Sequence, residues 1–284
     1  MHYRLRKKTA RVIHYTIMAA LAFFIIFPIL WMFSSALRPI QEIFAYTSPL
    51  SWKTFLPVHP TLDNFSTLLF APDSQWLRYI LNTLFVTSLI ILVGGLINAL
   101  AAYAFARLKF PGRDALFVLT LVTVIVPFEA IALPLVLVVK QLGWIDSFQA
   151  LIVPALANGF NIFLLRQFFI GIPNELEEAA IMDGASRLQV FFGIIVPLSW
   201  PVLITTGLLS FQSSWDAFLW PLIATSSPQV RLIQVAISML IGQDFADWNH
   251  LFAATALAAL VPLLIFICLQ RYYQQGIATT GLKE

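Results

Sequence analysis

The chain has 284 residues, of which 60% are hydrophobic and only 11% charged. A water-soluble domain carries about 25% charged residues, so this composition excludes an ordinary soluble fold and points to a lipid environment. The net charge of +3 excludes the clustered basic face of a nucleic-acid binder, and the single Cys268 excludes a disulfide framework.

A helix needs about 20 residues to cross a hydrocarbon core of about 30 Å. The first run long enough is 12–37, preceded by Arg4, Arg6, Lys7, Lys8 and Arg11. It is too long for a leader's apolar region and ends without a small-residue cleavage site, so it reads as a span. A Pro- and Trp-containing loop, 38–78, follows. The second run, 79–106, has Gly94-Gly95 midway, where small residues admit a close neighbour. In the third, 115–139, Pro127 and Pro134 bracket Glu129 and are expected to bend the helix. The fourth, 148–172, holds Asn158 and Asn161 near its middle, and Arg166 is expected to snorkel to the surface. The fifth, 200–224, contains "SSWDAFLWP". A loop with Asp244, Asp247 and Trp248 precedes the sixth, 251–269. The runs are continuous rather than alternating, so the expected fold is an all-α membrane protein with six transmembrane helices.

With the N-terminus inside, 12 of the 17 Lys and Arg fall on the inner side and five on the outer. That asymmetry predicts both termini in the cytosol. Trp76, Tyr79 and Trp220 are expected as anchors at the membrane interface.

Glu129 and Asp216 are the acids clearly within spans, and an intramembrane acid is a functional candidate. Trp215 beside Asp216 suits a sugar, because the indole face covers C–H surface while the carboxylate takes hydroxyl protons. Pro221 is expected to loosen that turn so that both side chains border one cavity, with the acid facing the interior. The bland alternative is an inter-helix hydrogen bond. Asn158 has the same two readings, solute contact or glue between helices.

No G-x-x-x-x-G-K-[ST], H-E-x-x-H or G-x-S-x-G occurs, so neither a phosphate-binding loop nor a hydrolase site is visible. The chain is not expected to be an enzyme or to hold a cofactor or metal.

The most polar interior stretch is "NELEEAAIMDGASRLQVFFGIIVP", residues 174–197. Asn174 can cap a short helix, with Glu177 completing a capping box. Glu175, Glu177 and Glu178 then fall in the first turn, where the helix dipole favours acids. Gly184 suits the position just past the end. Ser186 can cap a second helix running through Val190-Phe191-Phe192 to Pro197. Ala179-Ala180 gives the first helix a slim face that fits a cleft on another protein.

Glu178-Ala179-Ala180, three residues, Gly184, nine residues, Ile194, one residue, Val196 and Pro197 together resemble the EAA motif of ABC importer permeases, with Val196 where the family has Leu. "NTLFVTSLIILVGGLINALAAYAFARLKFPGR", "FLLRQFFIGIPNELEEAAIMDGAS" and "SWDAFLWPLI" resemble the carbohydrate group, in particular its maltose-type six-span subunit. The likeness runs from Asn82 to the C-terminus and implies a single permease domain, 1–284, of type I importer fold. It implies a cytosolic coupling loop at 173–197, with Glu178, Ala179, Ala180, Asp183 and Gly184 meeting an ATPase. The partners implied are a second permease, two ATPase subunits that bind ATP and magnesium, and a solute-binding protein. Gly242, Gln243 and Asp244 fall where the family's outer loop reaches that binding protein. The implied solute is a sugar, with glycerol-3-phosphate as runner-up. An ion-coupled secondary carrier is the alternative of a different class, although few intramembrane ionisable groups support it.

Overall fold

In a computed structural model of the chain, the backbone is described for residues 2–49, 51–242 and 246–281, and side chains for 11–49, 51–242 and 246–268. The described residues are almost wholly helical, and an isolated bridge between Ile241 and Ala246 is their one extended pairing. In chain order the helices are α1 (His2–Ala36), α2 (Ile40–Ile43), α3 (Trp52–Phe55), α4 (Asp63–Phe70), α5 (Trp76–Leu89) and α6 (Gly95–Arg107). Then come α7 (Arg113–Ile125), α8 (Phe128–Gln141), α9 (Phe148–Ile152), α10 (Gly159–Ile170), α11 (Asn174–Met182), α12 (Arg187–Val190) and α13 (Val196–Leu198). The last are α14 (Trp200–Trp215), α15 (Leu219–Ala224), α16 (Ile233–Met239) and α17 (Trp248–Gly281). Short π-helical stretches, Ile90–Gly94 and Phe191–Ile195, join α5 to α6 and α12 to α13.

Four helical stretches are long and apolar enough to cross a membrane: Arg11–Ala36, Trp76–Arg107, Phe148–Ile170 and Trp248–Cys268. Two bent pairs bring the number to six if each is one span. The pair α7 and α8 turns by 105°, and Arg187–Leu198 meets α14 at 82°. The first break is sharper than the bend expected from two prolines. Val126 is extended (ψ 118°) because the residue before Pro127 is driven out of the helical region. Pro134, by contrast, lies inside an unbroken α8. The fifth run also differs from the reading at 200–224: α14 stops at Trp215, and three non-helical residues separate it from α15.

The chain divides into two compact units, residues 1–76 with 237–261 and residues 77–236 with 262–284. In the first, the loop after α1 is built around buried polar groups. Arg38 is 1% exposed and donates to the Thr54 carbonyl at 2.9 Å and to Ser34 Oγ at 3.1 Å. Asn64 Nδ2 donates to the carbonyls of Ala36 and Arg38, closing the end of α1. The Glu42 carboxylate accepts from the His59 ring and from the backbone N–H groups of Val58 and His59, which hold it below the usual carboxylate range. Trp76 packs against Leu68, Ala253 and Ala254.

In the second unit, α6 and α10 pack along their length. Ala99 and Ala102, at most 3% exposed, let the backbones approach, and Ile162, Leu165 and Phe169 fill the seam. Gly94 is a point of close approach, since a Cβ there would sit 2.9 Å from the Leu156 carbonyl oxygen. Its neighbour Gly95 faces nothing within 4 Å, so only one of the pair serves packing. Tyr79 is buried, and Trp220 donates Nε1–H to the Ala150 carbonyl at 2.9 Å, tying α15 to α9. The Arg166 guanidinium lies 4.1 Å from the Phe117 ring centroid, and Nε donates to the Phe105 carbonyl.

Asp146 fastens the loop between α8 and α9 to the segment after α15. Its Oδ1 accepts from Ser226 N at 2.8 Å and Ser227 N at 2.9 Å, and its own N–H donates to the Ala224 carbonyl. The bonds from Ser227 and Ser226 hold its carboxyl below the usual aspartate range. A depressed folded-state value contributes stability above the unfolded value, and that stability is lost as pH falls through the folded one. Asp146 also sits at φ 61°, which asparagine tolerates nearly as well. Asp146→Asn should therefore destabilise by about 1–2 kcal/mol at neutral pH through loss of charge-assisted bonds. The gap from wild type should close as pH drops below about 4. Thermal unfolding in detergent at several pH values measures it, and a gap that widens in acid would refute the assignment.

Candidate functional site

The stretch between α10 and α14 folds as a helix, a turn and a second helix. α11 begins after Pro173, and no side chain caps it. Asn174 instead accepts through Oδ1 from Arg107 Nη1. Glu177 does not complete a capping box either. It turns inward, 4% exposed, with Oε1 2.7 Å from Arg107 Nε and Oε2 accepting from the Tyr103 hydroxyl at 3.1 Å. The pull of a buried cation outweighs local capping, which sequence spacing alone does not reveal. Glu175 and Glu178 stay exposed in the opening turns.

α11 ends as expected at Gly184, whose φ of +88° is left-handed. Gly184 N–H donates to the Ile181 carbonyl and Ala185 N–H to the Ala180 carbonyl, the paired bonds of a Schellman turn. Ser186 caps α12 in a reciprocal box with Gln189. Val190 and Phe191, at most 1% exposed, bury the second helix against α6, with the Phe191 and Tyr103 rings 5.3 Å apart. That helix passes Pro197 and breaks only at Ser199, where α14 departs at 82°.

The two faces of this loop are unlike. One is pinned by Glu177, Val190 and Phe191. The other presents Leu176 (44% exposed), Met182 (86%) and Leu188 (61%) beside Glu175, Glu178, Ala179 and Asp183, all exposed. Elsewhere in the second unit, a cleft of about 250 Å³ lies between α6, α10 and α14. Its polar lining is Asn98, Asn161, Thr206 and Ser210, with Asn161 Nδ2 donating to Ser210 Oγ at 2.8 Å.

Residues 91–279 match the family described as the binding-protein-dependent transport system inner membrane component. The chain belongs to this family. It is a permease subunit of a binding-protein-dependent ABC importer, a multi-pass membrane protein whose work is transport. The permease is 29% identical over 282 residues to the arabinooligosaccharides transport system permease of Halalkalibacterium halodurans, covering 98% of this chain and 100% of that one. It is 36% identical over 196 residues to the sn-glycerol-3-phosphate transport system permease of Pectobacterium atrosepticum, covering 68% and 70%. Its fold is that of a chain in the crystal structure of a bacterial ABC transporter involved in importing the acidic polysaccharide alginate. That match has a TM-score of 0.81 at 22% identity, covering 94% of this permease and 97% of that chain. Family membership removes the ion-coupled carrier as a reading.

The remaining candidates of the permease fall in separate places. Glu129 is exposed in the first turn of α8, beside the break at Pro127, where the positive end of the helix suits an acid. Asn158 caps α10, its side chain accepting from Asn161 N at 3.0 Å, while its own N–H donates to Asn98 Oδ1 at 2.9 Å. Trp215 and Asp216 do not border one cavity. Trp215 is 1% exposed and stacks on Phe211, with ring centroids 5.5 Å apart, so it is core. Asp216 is exposed just past the end of α14 and accepts from Gln212 Nε2 at 2.6 Å, rather than facing the interior. The helix stops at Trp215, so the two side chains leave the backbone on different paths. Gly242 follows the bridge residue Ile241. Gln243 and Asp244 lie outside the described residues. Arg107, Tyr103, Asn98 and Ser210 were missed. An Asn in the middle of an apolar run was the available signal for Asn98, and nothing local marks Arg107 as more than an inner positive charge.

Proposed function

We propose that this permease is one of two in an importer for a sugar, such as an oligosaccharide, disaccharide or polyol-like glycoside, in a bacterial cytoplasmic membrane. α11 docks into a groove on an ATPase subunit, and closure of the ATP- and magnesium-bound ATPase pair drives alternating access. A solute-binding protein delivers the sugar from outside, near the segment that includes Gly242, Gln243 and Asp244. The observation that carries this reading is the two-faced α11. Leu176, Ala179 and Met182 leave an apolar strip uncovered between exposed acids. Lipid does not suit the acids, and water does not suit the strip, whereas a protein groove with basic rims suits both. Glu178, Asp183 and Gly184 complete that surface, while Ala180 of the same motif packs inward against the core.

The solute class rests on the arabinooligosaccharides permease, since the cleft is lined mainly by apolar side chains with Asn98, Asn161, Thr206 and Ser210 among them. Glycerol-3-phosphate is the second reading, favoured by the 36% identical relative. A phosphate would call for a cation, and none lines the cleft. The test is ATPase stimulation of the assembled complex, with its binding protein, across oligosaccharides, disaccharides and glycerol-3-phosphate. Stimulation by the phosphate alone would reverse the order of the two readings. The proposed topology has both termini in the cytosol, on the strength of the Lys and Arg asymmetry, so reporters fused at residue 284 and within 63–74 should lie on opposite sides. The same side for both would overturn the topology.

A further inference from the structure

We propose that the buried contact between Arg107 and Glu177 is the joint through which α11 moves α6 and α10, which makes both residues positioning residues for energy coupling. The inference rests on the reading of α11 as the ATPase-docking element. Four acids lie in α11 and its end, and Glu177 alone is buried among them. Its partner gathers three elements at one guanidinium. Arg107 ends α6. Through Nη2 it donates to the Phe169 carbonyl in the last turn of α10 at 2.7 Å and to the Ile172 carbonyl just past its end. Through Nη1 it reaches Asn174 at the start of α11, and its Nε lies 2.7 Å from Glu177 Oε1. Both side chains of the pair are at most 8% exposed. Tyr103, one turn earlier on α6, donates to the other carboxylate oxygen, and Arg187 of α12 stands 3.9 Å from it.

The rest of this loop's packing onto the core formed by α6 and α10 is apolar, through Ala180, Ile181, Ala185, Val190 and Phe191. Interdigitated apolar side chains transmit a push through their shape alone. They tie α11 to the core without holding a particular group of α11 against a particular group of α6. The ion pair does so, since a buried charge parted from its partner is strongly disfavoured. Neither Arg107 Nε nor Glu177 Oε1 makes an aligned hydrogen bond, so charge rather than angle holds the contact. Such a contact survives a tilt of α11 that would break a directional bond.

Glu177→Gln tests this in the full complex, with ATPase subunits and binding protein. The variant keeps the shape and leaves Arg107 on the Phe169 and Ile172 carbonyls. Complex yield should fall in part, because a buried Arg107 loses its counter-charge, but ATP hydrolysis per assembled complex should persist, while solute taken up per ATP hydrolysed falls about fivefold or more, the lower range of coupling effects between sites. Tyr103→Phe removes one bond to the same carboxylate without stranding a charge, and should lower the same ratio by a smaller factor. If yield and uptake fall together in Glu177→Gln and uptake per ATP is unchanged in both variants, the residues only hold the fold and the inference is overturned. A photo-crosslinker at Ala179 separates the underlying reading. Crosslinking to the ATPase with an unchanged ratio in both variants defeats the joint alone. Absence of crosslinking to the ATPase defeats the docking of α11, and the joint with it.

Discussion

Gly184→Pro should abolish solute uptake by the assembled importer while the chain still inserts and the ATPase still hydrolyses ATP. The reason lies in the turn between α11 and α12. Gly184 has φ +88°, and a Cβ placed there meets nothing within 4 Å. Space is therefore not the constraint, and the whole penalty is conformational. A side chain in the left-handed region costs about 1–2 kcal/mol, which changes the population of the turn by roughly five- to thirty-fold. Proline does worse: its φ is fixed near −65° and it has no N–H to donate to Ile181. The expected order of remaining uptake is Asn, then Ala, then Val, then Pro, because asparagine visits the left-handed region most readily. Complex yield should change little along the series, since Val190 and Phe191 still bury α12. Parallel measurements of uptake and ATP hydrolysis in vesicles decide the matter. A proline variant that transports normally would mean that the turn does not carry force between the two helices.

Gly184 and Ser186 were legible because their chemistry is local. A helix end needs a left-handed residue, a helix start needs a side-chain acceptor, and both demands fall within a few positions. The same local logic misplaced Glu177. Capping offered it a nearby N–H, but the fold offered a cation 70 positions earlier on α6, and proximity in sequence says nothing of that. Trp215 and Asp216 failed differently. Reading 200–224 as one helix set their directions about 100° apart, whereas the helix ends between them and sends one to the core and the other outward. Apolar runs gave the spans, since lipid imposes length and continuity. The 105° break at Val126 shows what hydropathy misses: both arms are apolar, and only the backbone restriction before Pro127 tells them apart.

Gly159→Ala should be the most damaging single-methyl change in the second unit. A Cβ at Gly159 would lie 2.7 Å from the Thr120 carbonyl oxygen, 2.8 Å from Thr123 Oγ1 and 3.0 Å from Val124 Cγ2. These atoms all belong to α7, and the nearest is backbone, which moves only with its helix. Thr123 cannot simply rotate away at no cost, because its hydroxyl donates to that same Thr120 carbonyl at 2.7 Å. Nor is the start of α10 free to retreat. Asn158 caps it, and the Asn158 N–H is held by Asn98 of α6 at 2.9 Å. The methyl therefore wedges α7 away from α10 while α6 holds α10 in place. Overpacking of this kind costs about 1–3 kcal/mol, and Gly159→Leu should prevent a stable complex from forming. Gly95→Ala is the matched control: it adds the same methyl to a helix, meets nothing within 4 Å, and should stabilise by up to about 1 kcal/mol through helix propensity. Thermal unfolding of the two alanine variants in detergent should move in opposite directions from wild type. If Gly159→Ala is as stable as Gly95→Ala, the close approach of α7 to α10 is not what the glycine provides.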